Sequence, residues 1–344
     1  MYEAQLPDTG DNAEDEDEDS TEESTETDSG TGSDTTDSTE STEETDSGSE
    51  TDTSAETGDD GRFRVVIFAD SHVVGPEYQG GDSNLLNAEQ QLEILRWEVE
   101  HIDPLPDFAV ILGGLVHDAY PTTELDFYEN NPNAFAIVDE ILDGFPIPVY
   151  QLFGDSDYGV PDVSRSFSHT LFYSFFQKDP YYVIDHGGWR FFFTNSQLGH
   201  SFDAQTVGYD PSLGSYGANQ LNWLSYELEQ GGPAVVFSHF PIHTTAIDEE
   251  LEGGGFPDMR SLLLAQDNVE LIFAGHTYTW VSTPGEFGAP HYEVGATRYD
   301  TDNFLLLEFD DQGGYEFLDI EKVQWNTPNA DHWDYSEDPP VPAG

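Results

Sequence analysis

The sequence predicts an α/β fold, a mixed sandwich of β-sheets with helices outside, built by one folded unit over residues 61–324. Three observations predict it. From Arg62 onward, short apolar runs of strand length alternate with longer stretches of helical periodicity. The last part of the unit changes to closely spaced short strands. The charge is also uneven: of 70 Asp+Glu and 9 Lys+Arg in 344 residues, residues 1–60 hold 24 acids and no base, with 22 Ser/Thr and 5 Gly besides. Such a segment has almost nothing apolar to bury and repels itself. It is expected to be a disordered acidic Ser/Thr/Asp/Glu-rich tail, a solvated spacer first and a cation- or partner-binding segment second. Residues 325–344, rich in Pro and Asp, are expected to run over the surface as a C-terminal tail.

Taken in order, residues 63–69 form a near-continuous apolar run, the pattern of a strand buried on both faces. Leu85, Leu86, Leu92, Leu95 and Val99 recur near a 3.6-residue period, which predicts a helix over 84–101. A strand at 107–112, a helix at 123–142 and a strand at 147–152 continue the alternation. Two strands, 181–185 and 189–194, flank the turn His186-Gly187-Gly188. A helix at about 217–229, strands at 234–238 and 270–274, and several short antiparallel strands over 280–320 complete the unit.

Composition excludes whole classes of function. With no Cys, disulfide frameworks, thiolate zinc sites and cysteine nucleophiles are all removed. A formal net charge of -61 argues against nucleic acid and anionic membranes as partners, since both need clustered Lys/Arg. No apolar run approaches the roughly 18–20 residues that span a bilayer, so no direct membrane insertion is expected. Neither a Gly-x-Ser-x-Gly elbow nor a Gly-x-x-x-x-Gly-Lys phosphate loop occurs. Met1 leads directly into the acidic run with no recognisable leader. A Ser/Thr/Asp/Glu spacer nevertheless favours an extracytoplasmic or cell-surface setting. The alternative is a high-salt (halophile) cytoplasm, which fits a folded part with only Lys178 and Lys322 as lysines.

In a sheet of this kind chemistry collects at the carboxyl ends of the strands. The loops there read Asp70-Ser71-His72, Gly113-Gly114-Leu115-Val116-His117-Asp118, Gly154-Asp155-Ser156-Asp157, Ser238-His239-Phe240-Pro241 and Gly275-His276-Thr277-Tyr278. Imidazoles and carboxylates are the ligands that hard and borderline divalent metals take. Each loop alone is weak evidence, because Asp and Ser also bend and cap chains. Five in order, each after a strand, are not. His117 and His243 lie near these loops, where turn and capping roles compete with facing a substrate.

This ordered set resembles the calcineurin-like metallophosphoesterase superfamily, whose signature reads D-x-H, G-D-x-x-D, G-N-H-D/E, H and G-H-x-H. The resemblance implies a four-layer α/β/β/α sandwich with mixed sheets, two metals (Mn, Fe, Zn or Ni) and hydrolysis of phosphate mono- or diesters. It implies that Asp70 and His72 bind a first metal and His239 and His276 a second, with Asp118 and Asp157 as supporting acids. The chain departs from that pattern at four positions. Gly114 stands at the bridging aspartate, Asp155 at the asparagine ligand, Ser156 at the histidine of the third motif, and Tyr278 at the last histidine. Glycine supplies no atom to hold two cations about 3.5–4 Å apart. Asp155, His239 and His276 still make three ligands with an open position.

Three readings remain open at this stage: a weakened phosphoesterase with one metal, a catalytically dead binding or surface module of the same fold, and a two-metal enzyme rebuilt through Tyr278 or Asp155. One divalent ion is expected rather than two, with a metal-free form left open. A small phosphate ester is the expected substrate class, and the protein partner is left open.

Overall fold

Alternation along the strands decides the layers. In β1 (Phe63–Phe68) Val65 and Ile67 pack into one core, while Val66 and Phe68 pack into another, and all four are fully buried. A strand buried on both faces needs a layer on each side, which is why its sequence is apolar throughout. In the computed structural model, residues 61–247, 255–318, 320, 323, 325 and 326 are described. The acidic tail expected over 1–60 and most of 325–344 lie outside them.

The first sheet contains β1, β2 (Phe108–Ile111), β3 (Val149–Gln151), β10 (Phe304–Phe309) and β11 (Tyr315–Leu318) in the order β11-β10-β1-β2-β3. β1, β2 and β3 run parallel, and β10 pairs antiparallel with β1, Phe63 facing Phe309 and Phe68 facing Phe304. The second sheet contains β4 (Tyr182–His186), β5 (Trp189–Phe193), β6 (Ala234–Ser238), β7 (Val269–Ala274), β8 (Val281–Thr283) and β9 (His291–Glu293) in the order β4-β5-β6-β7-β9-β8. Both sheets are mixed.

Between them lies a core of Val65, Ile67, Val110, Phe191, Phe193, Val235, Phe237, Leu271 and their neighbours. On the outer face of the first sheet pack α2 (Ala88–Glu100), α3 (Leu125–Asn130), α4 (Ala134–Asp143) and α5 (Arg165–Phe176), with the short α1 (Ser83–Leu86) leading into α2. α6 (Ala218–Leu228) and α7 (Met259–Leu264) cover the second sheet through Leu221, Leu224, Met259 and Leu262. Four layers result, α/β/β/α. No helix among the described residues is long and apolar enough to cross a membrane.

Two long helical expectations are divided in the structure. The stretch 84–101 breaks at Asn87, where α1 ends and α2 begins. The stretch 123–142 becomes α3 and α4 because Pro132 cannot continue a helix, and Asn133 caps the new one by accepting from the Ala136 amide. Within 280–320 β8 pairs antiparallel with β9 and β10 with β11, as expected, while β9 also runs parallel to β7.

Candidate functional site

The parallel strands of both sheets end at one place. After β1 the chain turns through Asp70 (φ 57) and His72 (φ 49), both buried and both in the left-handed region. The loops after β1 and β2 are laced together, the Asp70 amide donating to the Gly113 carbonyl (3.0 Å) and the His72 amide to the Gly114 carbonyl (2.8 Å). Asp155 opens a single 3-10 turn after β3. His239 follows β6 and His276 follows β7, and the Gly275 amide donates to the His239 carbonyl at 3.0 Å.

Asp155, His239 and His276 converge: one ligand atom from each lies within 4.8 Å of the others. The fully buried His239 has its Nδ1 2.8 Å from the Leu112 carbonyl, which assigns the proton to Nδ1 and turns Nε2 toward the Asp155 carboxylate at 2.9 Å. His276 Nδ1 stands 3.6 Å from the same carboxylate oxygen. Phe240 stacks on the His276 ring at a 3.9 Å centroid separation and 26°, which limits where that ring can turn. Burial opposes charge on His239, yet the Asp155 and Asp70 carboxylates outweigh it and lift the imidazole up to about 9. Burial likewise opposes charge on Asp155, and the His239 and His276 rings outweigh it, holding its carboxyl well below the usual range. Two imidazoles, a carboxylate and a supporting carbonyl form a donor set that fits one divalent ion.

Asp157 holds these loops in register. Its carboxylate is fully buried and accepts four backbone N–H groups: Gly114 (2.9 Å) and Gly154 (2.7 Å) on Oδ2, Leu115 (2.7 Å) and Val116 (2.9 Å) on Oδ1. Complete burial pushes this carboxyl up to about 7, and the donors pull the other way. Asp157 is thus a brace between the loops after β2 and β3. Asp118 is placed differently. It is exposed, and it is His117 whose Nδ1 stands 3.4 Å from His72 Nδ1. Counting along G-D-x-x-D from Gly113 ends on residue 117, a signal in the sequence that points to this histidine.

The other half of the site does not fit an ion. Asp70 Oδ1 lies 3.2 Å from His72 Nε2, while Asp70 Oδ2 is taken by the His276 amide at 2.8 Å. Tyr278 occupies the remaining position with its hydroxyl 3.4 Å from His72 Nε2. Burial and the Asp70 carboxylate push that hydroxyl well above the ordinary range. Gly114 (φ +67) has no room for a side chain, since a Cβ there would meet Asp70 Oδ1 at 2.4 Å and His72 Nε2 at 3.0 Å. Beside this half stands Arg298, its guanidinium 4.7 Å from the Tyr278 ring centre and 4.5 Å from that of Tyr299. Burial, His72 and Arg298 together keep His117 below its ordinary value. Ser156 keeps its hydroxyl buried without a hydrogen-bond partner and offers no imidazole. Nothing in the sequence marks Arg298 as part of the site; it enters through the carbonyl of Asp70, which accepts from its amide at 3.2 Å.

The chain is similar to several solved structures at low identity. A dimetal phosphatase from Danio rerio is 16% identical, with 71% of this chain and 92% of that chain covered at a TM-score of 0.46. A purple acid phosphatase from yellow lupin (Lupinus luteus) seeds is 16% identical over 73% of this chain and 50% of its own, at 0.46. The GAP50 anchor in the inner membrane complex of Plasmodium is 12% identical over 82% of this chain and 98% of its own, at 0.45. No curated protein sequence matches the chain. The model of the calcineurin-like phosphoesterase family matches residues 63–279, the stretch that carries all five strand-end loops. The chain belongs to that family.

Proposed function

We propose that this chain is a calcineurin-like phosphoesterase working with one divalent ion, held by Asp155, His239 and His276, on a small phosphate mono- or diester. The observation that carries the reading is the contrast between the two halves: three convergent donors in one, and in the other a closed Gly114, a Tyr278 in place of an imidazole and an Asp70 whose Oδ2 is taken by the His276 amide. Two imidazoles with one carboxylate suit Zn, Fe, Mn or Ni. When bound, such an ion supplies Lewis acidity toward water and toward a phosphoryl oxygen.

The chain's own groups have separable tasks. Asp155 and the two imidazoles bind the ion, and the Leu112 carbonyl keeps His239 in the ligating tautomer. Arg298 supplies fixed positive charge beside Tyr278 and near His117, where it can pair with phosphate oxygens. The family's histidine at position 156 is absent, so the leaving group receives no proton from that site and turnover is expected to be slow. A net charge of -61 disfavours polyanions and supports a small ester; it also suits a cell-surface or high-salt setting.

Metal content and turnover of an aryl phosphodiester under Mn(II), measured on the natural protein and on His239→Ala, test the reading. The natural protein should hold one equivalent of metal more than His239→Ala does, with measurable turnover. In the variant, affinity should fall at least ~100-fold and activity should disappear with it. Equal activity in both proteins, or a loss of two equivalents on His239→Ala, sinks the single-ion reading. No turnover, with metal content unchanged by His239→Ala, leaves the binding-module reading in its place.

Acidity gives a second check. In the metal-free protein the folded-state value of His239, raised to about 9, exceeds the ordinary ~6.5. Its pairing with Asp155 therefore stabilises the fold fully below about pH 6.5, and that contribution is lost as pH rises through about 9. The Tm of the metal-free protein should fall across this window, and His239→Ala should flatten the fall. A natural protein whose Tm rises over the same range would contradict the pairing.

A further inference from the structure

Outside the family site, three more ligand-type side chains converge. His291 and Glu293 are alternate residues of β9 and therefore share one face of the second sheet. His243 comes from the 3-10 turn Ile242–Thr244 that follows β6. One ligand atom from each lies within 4.8 Å of the others, and His243 Nδ1 is 3.7 Å from Glu293 Oε1. The geometry points to a second metal site, in which His243, His291 and Glu293 bind one zinc-class divalent ion.

Two observations beyond proximity support it. His291 is completely buried, and neither of its ring nitrogens has a hydrogen-bond partner among the described residues. Glu293 is 2% exposed, and its Oε1 also lacks one. Buried polar atoms are normally paired, and leaving one unpaired costs about 1–3 kcal/mol. Here the unpaired atoms belong to a His₂Glu set, the ligand combination of a three-coordinate zinc site with one open position.

The surroundings are already ordered for this task. Glu293 Oε2 accepts from the Thr277 hydroxyl at 2.6 Å, which orients the carboxylate and leaves Oε1 toward His243. Arg260 clamps the His243 turn, donating from Nε to the Ile242 carbonyl (3.1 Å) and from Nη2 to the carbonyls of His243 (2.7 Å) and Thr245 (3.0 Å). The ring of Phe287 meets that of His291 edge-on at 5.5 Å. Thr277 directly follows the ligand His276, so the two sites share a wall without sharing a ligand. Two imidazoles favour zinc, cobalt or nickel over calcium and magnesium, which take oxygen ligands.

The test uses the full chain in chelator-buffered Zn(II), so that weak binding by the many exposed acids is not counted. A variant with Asp155→Ala and His239→Ala removes the family site and should still hold one equivalent of Zn(II). Its X-ray absorption should show nitrogen and oxygen neighbours at about 2.0–2.2 Å. Adding His243→Ala to that variant should weaken the remaining ion by at least ~100-fold. Because the His243 side chain is 46% exposed, that change should leave the circular dichroism and the zinc-free melting curve unaltered. If the double variant retains no zinc, or if His243→Ala leaves its zinc affinity unchanged, the second site is refuted. Neither result bears on the Asp155/His239/His276 reading, which the natural protein and His239→Ala decide separately.

Discussion

Asp157→Asn should lower stability by about 4 kcal/mol or more, the largest single effect expected of a polar residue in this chain. The carboxylate is symmetric, with two acceptor oxygens each taking two backbone donors. An amide keeps one acceptor and turns its NH₂ toward the other two N–H groups. Whichever way it is flipped, two buried donors lose their partner and face a third. Each unsatisfied donor costs about 1–3 kcal/mol, and the opposed dipoles add to that. Asp157→Ala should be comparably damaging, because it strands all four donors but introduces no opposing group. Urea denaturation of both variants checks the argument. A loss below about 1 kcal/mol in either would mean that these amides find other partners.

Gly154→Ala should both destabilise the protein and remove metal binding at Asp155, His239 and His276. The backbone at Gly154 has φ -105, open to any residue, so the need for glycine is one of space alone. A Cβ there would fall 2.2 Å from the Gly114 amide nitrogen and 2.8 Å from His239 Cε1. The first contact is with backbone, which yields only if the loops after β2 and β3 separate and the Asp157 brace lengthens. The second pushes the His239 ring away from Asp155. Overpacking of this kind costs about 1–3 kcal/mol, and strained backbone adds to it. The expected result is a lowered Tm that metal no longer raises. A variant with natural metal content would show that the loops have slack at their crossing.

Much of the fold was legible because the strands are buried on both faces, so Phe63–Phe68, Ala234–Ser238 and Val269–Ala274 read as apolar runs. Helices were harder where their sequences are mixed. α5 begins at the Ser164 cap and runs through Ser, His and Phe at once, so no apolar stripe announces it. α7 is six residues long, too short to display a period. In the site, the convergence of Asp155, His239 and His276 follows from strand order alone. What strand order cannot convey is which neighbour an exposed acid loses or a buried histidine gains. Asp118 faces outward while His117 meets His72, a difference of one residue decided by the turn and its φ of 50 at Asp118. His291 and Glu293 were invisible because they lie within a strand, not in the loop beyond it.

The ligands of the family site come from opposite sides of the sandwich: Asp155 leaves the first sheet, and His239 and His276 leave the second. Under the single-ion proposal, an ion shared among them would act as a rivet across the seam of the two sheets. Its arrival or loss would change how firmly the layers are joined, and the stiffness of the sandwich would then report on cation supply.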